Sequence, residues 1–154
     1  MDTRLKTIDF QIGKLMNQWS VPALRISFAI IFFWFGILKP LGYSAAIPIV
    51  KSTVAWLPFL KPVIWVALIG WWEVVIGILF LFKKTTRLAI ALLFFQMIGT
   101  FMPLVLLQDI VYQHGNPLLP TMEGQYIIKN LMIISAALVL GGKIYSDLNK
   151  NKNQ

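Results

Sequence analysis

Glu73 lies near the middle of an apolar run from Val63 to Phe82, inside Gly70-Trp71-Trp72-Glu73-Val74-Val75-Ile76-Gly77. A helical run of that length crosses a bilayer. A carboxylate at that depth costs roughly 2.5–3.5 kcal/mol on insertion scales, so it is normally paired or functional. Gly70, Glu73 and Gly77 share one helical face, with Ala67 a turn earlier. Small residues around the acid let a second helix approach closely. Arg25 and Lys129 are the cations that neighbouring apolar runs bring into range, Lys39 ends the first run, and Gln96 is the amide inside the third.

Composition narrows the chemistry further. The chain has 154 residues, of which 58% are hydrophobic and only 13% charged, so most of its mass belongs in lipid and one membrane domain over residues 1–154 is expected. The net charge is +8. Its basic residues cluster beside apolar runs, so anionic membrane lipid is the expected partner and nucleic acid is not. The absence of cysteine excludes disulfides, thiol chemistry, iron–sulfur ligation and covalent haem within this chain. A single histidine, His114, makes neither a zinc site nor a bis-histidine haem site, so no metal is expected. If electrons are handled, an organic cofactor or a redox partner protein carries them.

The elements that must position Glu73 follow in order. Residues 4–19 place Leu5, Ile8, Ile12, Leu15, Met16 and Trp19 on one face and most polar residues on the other. This predicts an amino-terminal amphipathic helix over residues 1–20, lying in the membrane interface. Ser20 and Pro22 then open a first span at 21–38. Spans at 63–82, 88–107 and 126–145 complete an all-α, integral membrane four-helix bundle. Between spans one and two, Val50, Val54 and Leu57 predict a short surface helix over the mouth of the bundle. Pro103 predicts a kink or polar contact in span three. Basic residues concentrate before span one, in Lys83-Lys84-Thr85-Thr86-Arg87 and after Gly142, which places both termini in the cytoplasm.

Depths along these spans, at ~1.5 Å per residue, put Arg25 and Lys129 each about 8 Å from Glu73 along the membrane normal. Either cation can reach the acid by extending. Lys39 is expected higher, at the outer mouth with Glu123 or Asp109. Three readings stay open. Arg25 and Glu73 form a structural ion pair that sets helix register. Alternatively, Arg25, Glu73 and Lys129 surround a polar pocket for a quinone or similar ring, with Trp71, Trp72, Phe32 and Phe33 available to stack on it. The third is a proton or small-solute path.

Four segments carry a family resemblance. Arg25-Ile26-Ser27 with Phe35-Gly36-Ile37-Leu38-Lys39 resembles the first helix of DoxX-like membrane proteins. Trp72-Glu73-Val74-Val75-Ile76-Gly77 resembles their second-helix signature, and Thr100 to Leu107 the end of their third helix. Pro120 to Asn130 resembles the entry to their fourth. The resemblance spans roughly Val21 to Gly142 and implies a four-helix membrane bundle. It also implies quinone-linked redox work, since some relatives are subunits of oxidoreductases such as a thiosulfate:quinone oxidoreductase. Others are implicated in resistance to oxidative or reactive-chlorine stress. Arg25, Lys39, Glu73 and Lys129 match the charged motif positions, and with Trp72 and Gln96 they form the candidate ligand-binding set. Nothing matches a thiosulfate site. The expectation is an accessory or non-catalytic subunit of a membrane redox system in the bacterial inner membrane, with a quinone-like or lipid ligand near Glu73. A scaffolding bundle and a small-solute or proton conduit are the alternatives. Reporter fusions test the topology: a fusion after Lys143 should report a cytoplasmic location, and an external signal there overturns it.

Overall fold

A computed structural model describes the backbone of residues 3–152 and the side chains of residues 5–146. Long apolar runs punctuated by proline give helices and short connections. α1 spans Thr3–Leu38, α2 Ile47–Val54, α3 Pro62–Leu81 and α4 Thr86–Phe101. The short helices α5 (Pro103–Leu106), α6 (Gln108–Val111) and α7 (Met122–Ile128) follow, and α8 (Asn130–Lys152) ends the described chain. Among the described residues, four segments are long and apolar enough to cross a membrane: Leu5–Leu38, Pro62–Leu81, Lys83–Leu106 and Met122–Ser146. The protein is an all-α, multi-pass membrane bundle.

One expectation changes. Residues 4–19 do not form a helix of their own but are the first half of α1, which runs unbroken through Pro22. Proline is disfavoured inside a helix because it donates no N–H and crowds the preceding turn. Here the preceding carbonyls are at the solvated, unpacked end of α1, where water can take the missing bond. The helix is about 54 Å long, well beyond a ~30 Å hydrocarbon core. The side chains of residues 5–19 are exposed, Phe10 and Met16 most of all, and Asn17 is held by Lys143 of α8.

α1 and α3 form the central antiparallel pair. Their contact is set by glycines. A Cβ on Gly36 would lie 2.8 Å from Gly70 O, and one on Gly70 would lie 2.7 Å from Gly36 O. A Cβ on Gly77 would meet Phe33 N at 2.5 Å. The two backbones therefore touch with no side chain between them, as the small-residue face predicts. Phe28 and Phe80 stack across the same interface with centroids 4.9 Å apart, and Phe32 completes the aromatic group. Ala89, Leu93 and Met97 of α4 and Ala137 and Leu140 of α8 close the core on the other side.

The connections at one end are ordered. α2 packs on α3 and α5, as the predicted mouth-covering helix does. The span-three kink falls at Met102-Pro103, where α4 gives way to α5. From 108 to 125 the chain folds back on itself: Gln113 N donates to Leu119 O and Thr121 N to Val111 O, both at 2.8–2.9 Å. Thr121 caps α7 through Gly124 N and also donates its hydroxyl to Ile110 O. The opposite end carries the Lys83–Thr85 turn, the exposed start of α1 and the last turns of α8, joined by Lys143 Nζ donating to Asn17 Oδ1 at 3.0 Å. Gly77→Leu should lower stability by about 1–3 kcal/mol or prevent assembly, because α1 backbone blocks the new side chain. Gly99→Ala meets nothing within 4 Å and should be neutral or slightly stabilising. Thermal unfolding of the two variants in detergent checks the contrast.

Candidate functional site

The close approach of α1 to α3 decides what meets Glu73. Gly36 lies against Gly70 and the Glu73 Cβ, so Lys39, one turn further along the same face, sits just above the acid. Its side chain turns back down α1. Lys39 Nζ forms an ion pair with Glu73 Oε2 and donates to Phe35 O at 3.4 Å, a carbonyl left free in the last turn of α1. From α4, Gln96 Nε2 donates to Glu73 Oε1 at 2.6 Å. Both carboxylate oxygens therefore have a partner. The side chains are 7% exposed for Lys39 and 14% for Glu73, so the pair is shut away by protein on most sides. Gln96 Oε1 is buried with no partner. Beside this network, Trp72 and Phe95 pair across α3 and α4 with centroids 5.8 Å apart. Both rings keep substantial exposure, Phe95 at 67%, and face the lipid side.

Arg25 does something else. Its Nε donates to Phe80 O at 3.2 Å and its Nη2 to Leu81 O at 2.7 Å. These are among the last carbonyls of α3, which have no partner within their helix. A cation there also meets the negative end of the helix dipole. Thr85 Oγ1 donates to Leu79 O at 2.6 Å and Thr86 Oγ1 to Phe82 O at 3.0 Å, completing the cap. The expected Arg25–Glu73 pair is thus replaced by a helix cap. Eight residues separate Glu73 from Leu81, a rise of about 12 Å, and the free carbonyls are the nearer acceptors.

The other predicted residues divide as follows. Lys39 joins Glu73 instead of Glu123 or Asp109, because a lysine stem is long enough to fold back a full turn. Glu123 lines a separate cavity of about 150 Å³ with Ala45, Pro48, Ile49, Ser52 and Ile110. Asp109 is exposed. Lys129 is exposed at the α7–α8 junction, with its ammonium 5.1 Å from the Tyr126 ring centroid. No hydrogen bond or ion pair links Lys129 to Glu73 among the described residues. Phe32 is core rather than stacking surface, and Phe33 and Trp71 face outward. No group of three or more His, Cys, Asp or Glu side chains is placed to hold a metal among the described residues. Phe95 was not legible as a site residue: its only signal is its place beside Gln96 on the α4 face toward α3.

What these observations define is a polytopic helical bundle with a buried Lys–Glu–Gln network at its central helix crossing. A family model for DoxX matches residues 20–106, more than half of the chain, and the protein belongs to the DoxX family. The match contains Arg25, Lys39, Trp72, Glu73 and Gln96 and stops short of Lys129. No match is found among curated proteins or among solved structures.

Removing Lys39 leaves Glu73 with only a neutral donor. Lys39→Met should therefore cost about 3–5 kcal/mol of stability, the range for a buried charge stripped of its partner. Lys39→Met with Glu73→Gln should recover much of that loss. In a parallel double-mutant cycle, Arg25→Gln and Glu73→Gln should add within about 0.5 kcal/mol, because the two side chains share no partner. Chemical unfolding of the three single and two double variants decides which cation is coupled to the acid.

Proposed function

We propose that this DoxX-family protein is an accessory subunit of a membrane redox system, and that Lys39, Glu73 and Gln96 receive the polar head of a quinone-like or lipid ring. The ring would enter from the bilayer between α3 and α4. The observation that carries this reading is the unpaired Gln96 Oε1 beside an ion pair and under a lipid-facing aromatic pair. Buried acceptors are rarely left without a donor. A ring hydroxyl supplies one. A ring carbonyl is served instead by Lys39, whose ammonium has three N–H groups and spends two of them on Glu73 and Phe35 O. A bound quinone would supply the two-electron, two-proton chemistry. This chain's residues bind and orient its oxygens, and Glu73 holds or releases a proton at its carboxylate. Trp72 and Phe95 offer the apolar platform. The residues present fit such a group, and they offer no nucleophile.

The basic ends extend the reading. Lys83, Lys84, Arg87 and Lys143 gather at the end that carries the start of α1 and the last turns of α8, which supports a cytoplasmic location for that end in a bacterial inner membrane. A scaffolding role is the second reading, favoured by one observation: Lys39 and Glu73 satisfy each other without any ligand. A conduit gains no support. Phe28, Phe32, Ile76 and Phe80 pack between the Arg25 cap and the Glu73 network, so the polar groups form no continuous row.

Gln96→Leu separates the two leading readings. The Lys39–Glu73 pair survives in this variant, so folding should persist. Loss of a neutral hydrogen bond contributes about 1 kcal/mol, or roughly fivefold in affinity. Mass spectrometry of quinones and lipids retained after gentle purification should show depletion in the folded variant. Equal retention in Gln96→Leu and the unaltered protein, or no retained ring in either, leaves the scaffold.

A further inference from the structure

The first half of α1 has an orientation that its sequence alone does not disclose. At about 100° per residue, the face that α1 turns to the bundle is fixed by Arg25, Phe28, Ala29, Phe32 and Gly36. The apolar stripe of the first half, Leu5, Ile8, Ile12, Leu15, Met16 and Trp19, lies roughly 140° round the helix from that face. It continues in line with Ile26, Ile30 and Trp34, which face lipid in the spanning half. Asn17 confirms the phase: it lies on the bundle side, where Lys143 of α8 donates to it. Phe10 alone of the large apolar residues stands off the stripe.

This phase has a geometric consequence. A straight α1 carries an outward-facing apolar stripe about 22 Å long past the α1–α3 contact. If this first half bends outward, the side that faced away from the bundle turns onto the membrane plane. A stripe on the bundle side would instead be turned into water by the same bend. The chain also has a place to bend. Pro22 cannot donate to the carbonyl of Gln18, and Ser20 Oγ donates back to Asn17 O at 3.2 Å, a bond that competes with the helical ladder. Lys6 and Lys14 flank or oppose the stripe, against the single acid Asp9, and Lys83, Lys84, Arg87 and Lys143 surround the same end of the bundle.

We propose that residues 5–19 are a membrane-docking arm that swings outward at Ser20–Pro22 and lays the Leu5–Trp19 stripe on anionic phospholipid around the bundle. The partner is a negatively charged lipid surface. The apolar stripe supplies burial in the headgroup boundary. The two lysines raise occupancy of the docked state by roughly thirtyfold on an anionic over a neutral surface.

The cysteine-free chain makes the test direct. Single variants Leu15→Cys and Lys14→Cys of the full chain are spin-labelled and reconstituted in vesicles containing phosphatidylglycerol. Docking predicts that the label at 15 is accessible to oxygen and shielded from a water-soluble nickel reagent, while the label at 14 shows the reverse. In phosphatidylcholine alone, the shielding at 15 should fall. Nickel access at 15 equal to that at 14 in anionic vesicles overturns the arm. Shielding at 15 with dipolar broadening between copies overturns it in favour of a second copy of the chain. Shielding at 15 that is the same in phosphatidylcholine overturns the anionic headgroup as the partner.

Discussion

The backbone-to-backbone contact between α1 and α3 is the constraint on which the rest depends. Gly36, Gly70 and Gly77 remove the side chains that would hold the helices apart. In lipid there is no hydrophobic drive to bring apolar helices together, so close packing and interhelical polar bonds must do it. The glycines supply the first and the Lys39–Glu73–Gln96 network the second. Each requires the other. A wider spacing between α1 and α3 would leave Glu73 beyond the reach of a lysine anchored on the facing helix. Without the ion pair, an acid in the hydrocarbon zone would oppose the crossing that the glycines permit.

Two cations on α1 do different work because of where the crossing puts them. Arg25 meets the open end of α3 and satisfies carbonyls with its planar fork, which presents two donors to Phe80 O and Leu81 O at once. Lys39, a single point of charge on a flexible stem, bends back to an acid a turn below it. The pair of contacts pins α1 to α3 at two levels, one at a helix terminus and one at mid-depth. The aromatic group of Phe28, Phe32 and Phe80 fills the interval. α4 adds Gln96 from the far side, which makes the network a junction of three helices rather than two.

This arrangement leaves the lipid-facing edge of the junction as the place where a ligand can matter. Trp72 and Phe95 belong to consecutive spanning helices and meet at the surface, while their sequence neighbours Glu73 and Gln96 meet inside. Adjacent residues on a helix point about 100° apart, so one pair of helices presents an aromatic edge and a polar interior together. That juxtaposition is what motivates the proposal of a ring with polar substituents as the ligand class. The exposed α2, α6 and α7 connections lie at the opposite end from the basic turn, which separates the ordered mouth from the charged base of the bundle.

Sequence alone determined the class of the protein and the positions of its four spans, because insertion into lipid depends on the local density of apolar residues and on chain length. It also identified Glu73 as the residue to explain and marked the glycine face beside it. The proline break at Met102–Pro103 and the short α2 were legible for the same reason, since each depends on residues close in sequence. Pairing was not. By depth Arg25 and Lys129 lay within reach of Glu73 and Lys39 belonged at the outer mouth, because a one-dimensional count sees neither lateral position nor a side chain that folds back along its helix. The tertiary structure decided among them through the α1–α3 crossing, which brings Gly36 and therefore Lys39 onto the acid and gives Arg25 the nearer carbonyls of α3. It likewise decided that residues 5–19 continue α1, because helical propensity extends across Pro22 without a local signal strong enough to stop it.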